Sequence, residues 1–377
     1  MKGKQGMVCM GLLLVLSSCH TGKQITASGL QRKDFQTEVN GQHTDLFTLS
    51  NKQGMEVCIT NYGARVVSIL VPDRNGKRED VVCGFSTITE YMEQRQNFGS
   101  TVGRYIGRIL NARFTLDGVE YKLVPNNGKS GHISHGGNPG FADRIWKVEQ
   151  ADTHRVRLSY LSPDGENGFP GNLKVTLVYS LGEDDNALDL TYEATTDAPT
   201  VLNLSHHSFF NISGDFTKSV EDQQLWVDAD RFTPYDDKKC VTGEYLQVAG
   251  TPLDFRMPHA IGECIDADHP QLKVVNGYDH TWELNTKGDD TRPAAWVYDP
   301  ASGRKMEIFT TEPGIQIYTG NGLKGKMTGK RGIAYPFRSA VCFETMHFQD
   351  SPNQPGFPST VLRPGEVFRS HTVYKFE

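Results

Sequence analysis

The chain has 377 residues, with 39 Lys and Arg against 45 Asp and Glu and a formal net charge of −6. Apolar residues make up 37% and charged residues 22%, which describes a soluble globular protein and excludes a disordered or membrane-embedded one. No basic patch stands out, which argues against nucleic acid or an anionic membrane surface as partner.

The first element is not part of a fold. Lys2 and Lys4 precede an apolar run over residues 7–16, followed by Leu16-Ser17-Ser18-Cys19. A positive start, a short apolar stretch and small residues before a cut describe a secretory signal over residues 1–18. The run is too short to span a bilayer. Leu-Ser-Ser-Cys also reads as a bacterial lipobox, with Cys19 acylated as the first mature residue; the alternative is an ordinary signal with a coincidental Cys. The expectation is an exported protein, lipid-anchored through Cys19 in the bacterial cell envelope, at the periplasm or the cell surface. Removal of Lys2 and Lys4 takes the mature charge from −6 to −8. Residues 19–34 are polar and without pattern, so they read as a tether. Beyond the signal, Cys58, Cys83, Cys240, Cys264 and Cys342 are odd in number, widely spaced and lack a CxxC. That implies neither a disulfide framework nor a zinc ribbon.

The fold is expected over residues 35–377, built from many strands joined by turns. Residues 55–60 and 64–71 are β-rich and flank Asn61-Tyr62-Gly63, a hairpin pattern. Residues 72–77 read as a turn, 81–85 as a short strand and 87–94 as a short helix. Gly99, Gly103 and Gly107 have the wrong spacing for a dinucleotide loop. Arg104 and Arg108 lie near these glycines, where such side chains reach a bound polyol or carboxylate, or form a surface pair. His132 and His135 follow in a loop rich in Gly and Asn. Residues 156–162, 173–181 and 187–195 are strands at regular spacing, the mark of an antiparallel meander or sandwich.

Residues 201–214 read VLNLSHHSFFNISG. His206 and His207 are adjacent, so on a strand they face opposite sides and only one can enter a given cleft. A cleft-facing His can serve as a general acid near neutral pH. Asp279 sits at the mouth of a further β run, and Gln316 lies in a short strand over residues 312–321. Glu344 is placed where the apolar run 340–343 gives way to a polar, proline-rich segment. A carboxylate at the end of a buried strand, backed by a long loop over residues 352–364, suits chemistry on a rigid scaffold. Residues 367–376 are expected to close the sheet.

Taken together, the segments GRYIGRILNARFTLDG, SHGGNPGF, NLSHHSFFNI, GYDH, TTEPGIQIYTGN and ETMHFQDSPNQPGFPSTVLRPGE resemble the aldose 1-epimerases of the galactose mutarotase family. The resemblance covers residues 35–376. It implies an all-β fold, a large antiparallel β-sandwich with few short helices, acting on a free monosaccharide with no metal or organic cofactor. By this resemblance Glu344 is the base at the C1 hydroxyl and His207 the acid at the ring oxygen. His135 assists on the ring-oxygen side, while Arg108, Asp279 and Gln316 hold the sugar. Phe209 or Trp282 is a candidate for bordering its apolar face. Two positions depart from the family pattern: Gly107 and His206 stand where Asn is usual. Other readings of the same residues are a glycoside hydrolase using Glu344 and Asp279 and a non-catalytic carbohydrate-binding lipoprotein. A metal site from His206, His280 and His347 is a fourth.

Overall fold

The alternation in Leu173–Leu181 shows how the sequence writes the first sheet. Leu173, Val175, Leu177, Tyr179 and Leu181 are buried and the residues between them are not, because strand side chains point to alternate faces. In the computed structural model, which describes residues 25–377, this strand belongs to a nine-stranded sheet. The order is Lys147–Ala151, Arg155–Ser162, Leu173–Leu181, Ala187–Thr196, Phe368–Phe376, Lys305–Thr310, Ala295–Tyr298, Gln224–Val227 and His259–Ala260. A six-stranded sheet runs Phe209–Phe210, Val341–Met346, Gly314–Tyr318, Asp279–Glu283, Arg231–Thr233 and Leu246–Gln247. A four-stranded sheet holds Leu46–Ser50, Glu56–Thr60, Arg65–Pro72 and Arg78–Asp80. Neighbouring strands in all three pair antiparallel.

The inner faces of the sheets share one core. It joins Leu177 and Leu190 to Ile315, Ile317 and Phe343, and to Val57, Val66 and Ile69. The two larger sheets also touch through polar groups: Tyr374 OH donates to the Phe343 carbonyl at 3.0 Å, and the Thr345 and Thr372 hydroxyls lie 2.7 Å apart. The architecture is the all-β antiparallel sandwich expected. The described residues contain two α-helices, Ile88–Gln94 and Pro270–Val275. The first matches the helix expected at 87–94 and starts on a capping box: Thr87 Oγ1 accepts from Glu90 N, and Glu90 Oε2 accepts from Thr87 N.

Four expectations need correction. Residues 81–85 are not a strand. The strand Arg78–Asp80 ends because the Asp80 carboxylate accepts from the N–H groups of Ile69 and Val82, after which only a single bridge, Val82 to Phe210, remains. Glu344 is not at a strand end, since Val341–Met346 continues to pair through Thr345 and Met346 with Ile315 and Gly314. The final strand, Phe368–Phe376, does not sit at an edge; it runs through the middle of the nine-stranded sheet, between Ala187–Thr196 and Lys305–Thr310. The segment read as a tether is packed from Thr26 onward. Ala27 and Ser28 N–H donate to the Glu56 carboxylate at 2.9 and 3.1 Å, and Leu30 is buried. The signal over residues 1–18 and Cys19 lie outside the described residues. Among those described, no helix is long and apolar enough to cross a membrane.

Candidate active site

The strand Val341–Met346 is buried on both faces. Val341 and Phe343 point into the shared core. Alternation sends Cys342, Glu344 and Met346 to the opposite face, where Glu344 and Met346 line a polar cavity of about 260 Å³. The next strand places Gln316 directly across from Glu344, and the one after places Thr281 across from Gln316. Asp279 is two residues from Thr281 and therefore shares its face. Gln316 Nε2 donates to Asp279 Oδ1 at 2.7 Å. Gln316 Oε1 accepts from Thr281 Oγ1 and, at 3.4 Å, from Gln349 Nε2. This network sets the orientation of the amide and holds the carboxylate beside it.

The second half of the site comes from Ser205–His207, which pairs with Ser100–Val102. As the strand geometry requires, the two histidines part. His207 faces the cavity, with Nε2 3.3 Å from Glu344 Oε1 and Nδ1 3.6 Å from Cys342 Sγ. Its ring stacks on Phe209, the centroids 5.1 Å apart, and meets the edge of His135 at 5.4 Å.

His135 arrives on a loop that lies against the backbone of residues 103–107. A Cβ at Gly136 would fall 2.0 Å from the Gly103 carbonyl oxygen, so only glycine allows that approach. His135 N–H donates to the Gly107 carbonyl at 2.9 Å, and Gly107 N–H donates to His135 Nδ1 at 3.4 Å. The neutral ring therefore carries its hydrogen on Nε2. Arg108 lines the same cavity, with Nη1 donating to the Lys239 carbonyl at 3.3 Å.

Burial dominates the electrostatics. It pushes the Glu344 carboxyl well above the ordinary carboxylate range, with the Asp279 charge adding to the rise. Burial also raises Asp279, against the pull of Arg108 and Gln316. It lowers the His207 imidazole to about 4 and the His135 imidazole to about 3, where His207 and Arg108 contribute as well. Between Glu344 and His207, burial and contact oppose each other. Burial favours a neutral acid beside a neutral imidazole, whereas the 3.3 Å separation favours carboxylate and imidazolium. Both forms hold the same number of protons, so the pair acts as one unit sharing a proton.

The structure thus brings Glu344, His207, His135, Arg108, Asp279 and Gln316 to one cavity. Phe209 borders it; Trp282 does not, being in the core with its indole N–H donated to Leu253 O. Arg104 is also absent from it. That guanidinium is buried and binds the carbonyls of Ser162, Pro163, Pro170 and Gly171, a structural role. The three histidines weighed as metal ligands are dispersed. His206 packs with Tyr179 and Ser208, His280 against Phe232 and Tyr235, and His347 on Glu312. The group among the described residues with ligand atoms within 4.8 Å of one another is His207, Cys342 and Glu344. There His207 turns its two ring nitrogens toward different partners. Sequence reasoning missed Gln349 and Tyr318 in the cavity wall. Gln349 lies within ETMHFQDSPNQPGFPSTVLRPGE, and Tyr318 lies two residues after Gln316 on the same face of its strand.

A family model for aldose 1-epimerase matches residues 45–375. The chain belongs to the aldose 1-epimerase family. Among its aldose 1-epimerase relatives, the galactose mutarotase of Bos taurus is 40% identical over 331 residues, 88% of this chain and 93% of that one. The aldose 1-epimerase of Escherichia coli K12 is 36% identical over 340 residues, 89% and 96% of the two chains. Solved structures share the fold, two of them at more than 25% identity. An aldose epimerase homologue from C. elegans gives a TM-score of 0.81 at 31% identity, covering 89% of this chain and 99% of that one. A galactose 1-epimerase from Lactobacillus acidophilus gives 0.78 at 28% identity, covering 90% and 96%.

The two departures from the aldose 1-epimerase pattern have distinct settings. Gly107 has φ +75°, and a Cβ there would lie 2.6 Å from Gln349 Cγ, so glycine is what lets Gln349 close this wall. His206 faces away from the cavity, its Nε2 2.6 Å from Ser208 Oγ, and burial lowers it to about 3, so it is neutral.

Proposed function

We propose that this protein interconverts the α and β anomers of free aldohexoses such as glucose and galactose, with Glu344 and His207 as the proton-transfer pair. The observation that carries the reading is a carboxylate and an imidazole 3.3 Å apart in the wall of a polar cavity suited to a single sugar.

In this reading Glu344 takes the proton of the C1 hydroxyl. The C1–O5 bond breaks, its electron pair going to O5, and His207 supplies the proton that O5 needs. The open aldehyde rotates about C1–C2. Reclosure runs the same steps backwards on the other face: O5 attacks C1, His207 recovers its proton, and Glu344 returns one to the new C1 hydroxyl. The pair ends as it began, so one shared proton suffices for repeated turnover. His135 presents Nε2–H on the ring-oxygen side. Arg108 donates to sugar hydroxyls and Asp279 accepts from them, with Gln316 holding Asp279 in place.

Each proton transfer is worth roughly 10²–10⁴-fold. Polarimetry of freshly dissolved α-D-glucose and α-D-galactose is the test. Glu344→Gln and His207→Ala are each expected to lower kcat by about that factor. Unchanged decay in both variants would overturn the assignment.

The reading includes export and lipid anchoring through Cys19. It rests on Lys2, Lys4, the apolar run 7–16 and the Leu-Ser-Ser-Cys sequence. Expressed from the full sequence, the mature chain is expected in the membrane fraction with acyl label on Cys19, and Cys19→Ser is expected to lose the label. A wild-type chain without acyl label would refute the anchor.

A further inference from the structure

Cys342 stands two residues before Glu344 on the same face of Val341–Met346, and no step of the reaction above uses its thiol. Its backbone pairs on one side with Phe209 and on the other with Tyr318, so the side chain starts from a fixed point inside the sheet. The residue is fully buried, and its sulfur lies 3.6 Å from His207 Nδ1. Phe209, across the ladder from it, stacks on the same imidazole. One pair of neighbouring strands therefore aims both the sulfur and the ring that His207 packs on.

The proton count of the Glu344 and His207 pair decides which atom donates to the sulfur. His207 Nε2 faces Glu344 Oε1 at 3.3 Å, so that nitrogen exchanges the shared proton. When the proton sits on Glu344, Nε2 accepts from it and the neutral ring keeps its one hydrogen on Nδ1. When it sits on His207, both nitrogens carry hydrogen. Nδ1 is a donor in both forms, and among the described residues its side-chain partner is Cys342 Sγ. Burial, with the Glu344 charge adding, pushes the thiol well above its ordinary range, so the sulfur stays uncharged and a weak acceptor.

We propose that Cys342 is a positioning residue, whose sulfur accepts from His207 Nδ1–H and so holds Nε2 on the proton path between Glu344 and the ring oxygen of the sugar. The inference deepens the anomer-interconverting reading above and rests on it. The weakness of the acceptor matters as well. A carboxylate in this place would stabilise the imidazolium and make it a poorer acid. A thiol directs the ring without holding its charge to that extent, which leaves His207 ready to protonate O5. The other titratable or charged groups acting on the ring are Glu344 from the same strand as Cys342, His135 from its loop, and Arg65, whose charge adds to the lowering by burial.

The experiment follows anomer interconversion of α-D-glucose by the purified full-length protein and its variants at position 342. Cys342→Ala and Cys342→Val both remove the acceptor, but the first leaves a hole and the second fills it. Cys342→Ser keeps an acceptor. The Ala and Val variants are expected to lower kcat about tenfold, with KM within about twofold of wild type. The Ser variant is expected to keep kcat within about threefold. Because an alcohol oxygen accepts more strongly than sulfur, it is also expected to move the acidic limb of the kcat/KM profile upward by about half a pH unit. A role in packing alone gives the reverse order, with Val tolerated and Ser not. The inference is overturned by that order, by unchanged kcat in Ala and Val, by losses that lie in KM, or by an acidic limb that Ser leaves in place. Wild type that accelerates no sugar, or Glu344→Gln and His207→Ala variants as fast as wild type, would instead bring down the reading on which it rests.

Discussion

Glu344 and His207 hold one proton between two groups that burial pushes toward their uncharged forms. In the proposed mechanism the active state is the singly protonated pair, and the expected pH dependence follows from leaving it in either direction. As pH falls, the second proton goes to an imidazole depressed to about 4, so activity persists below the usual histidine range and is lost near that value. As pH rises, the shared proton is lost from a carboxyl held well above its ordinary range, which sets the basic limb. A bell-shaped kcat/KM profile is expected, flat through pH 6.5, with the basic limb absent from the residual activity of Glu344→Gln. Polarimetry between about pH 3.5 and 10 checks it; activity that climbs through pH 6.5 as a free imidazole deprotonates would contradict the shared proton. Both groups were legible in the sequence because each sits in a motif of chemically distinctive residues. Gln349 was not, because its place beside Gln316 and Tyr235 depends on how residues distant in the chain come together.

Strands were legible wherever one face is buried, as in Leu173–Leu181, since alternation then shows in the sequence. Residues 81–85 misled for a physical reason: Val81, Val82, Cys83 and Phe85 are all buried, yet an apolar run signals burial and not pairing. The strand carrying Glu344 extends further than its composition suggests because a buried carboxylate interrupts the apolar pattern without interrupting the hydrogen-bond ladder. Arg104 shows the same limit from the other side. Its sequence setting fitted a ligand contact, but it joins three elements: the end of Arg155–Ser162, the turn at Pro170 and Gly171, and Thr200. Burial lowers its pKa to about 10, which leaves it charged at neutral pH. Among the described residues Arg104 is the only side chain meeting those buried carbonyls, and an unsatisfied buried polar group costs about 1–3 kcal/mol, which Arg104→Ala would incur. A loss of at least about 3 kcal/mol is expected, read as a lower urea midpoint. A midpoint within error of wild type would show that the carbonyls find other partners.

The three sheets are tied by segments far apart in the chain. The N-terminal stretch from Thr26 docks on Glu56, and the last strand bridges the two halves of the nine-stranded sheet. On that strand's outer face His371 links two further segments. Its Nδ1 lies 2.7 Å from Asp290, on the connection between the six- and nine-stranded sheets, and its Nε2 lies 3.2 Å from Asp189. The hydrogen bond to Asp189 raises its pKa above the ordinary 6.5, with Asp290 adding to the rise and partial burial opposing it. A raised folded-state value means the protonated form is stabilised by folding. The stabilisation is fully present below about pH 6.5 and is lost as pH rises through the higher folded value. The imidazole is about one-third exposed, at 32%, so solvent screening keeps the effect small. His371→Gln is therefore expected to cost about 1 kcal/mol at pH 6 and close to nothing at pH 9. Urea unfolding of both proteins at the two pH values measures the difference. A gap that is the same at pH 6 and pH 9 would mean that the carboxylates of Asp189 and Asp290 do not stabilise a charged His371, and that the link holds through neutral hydrogen bonds alone.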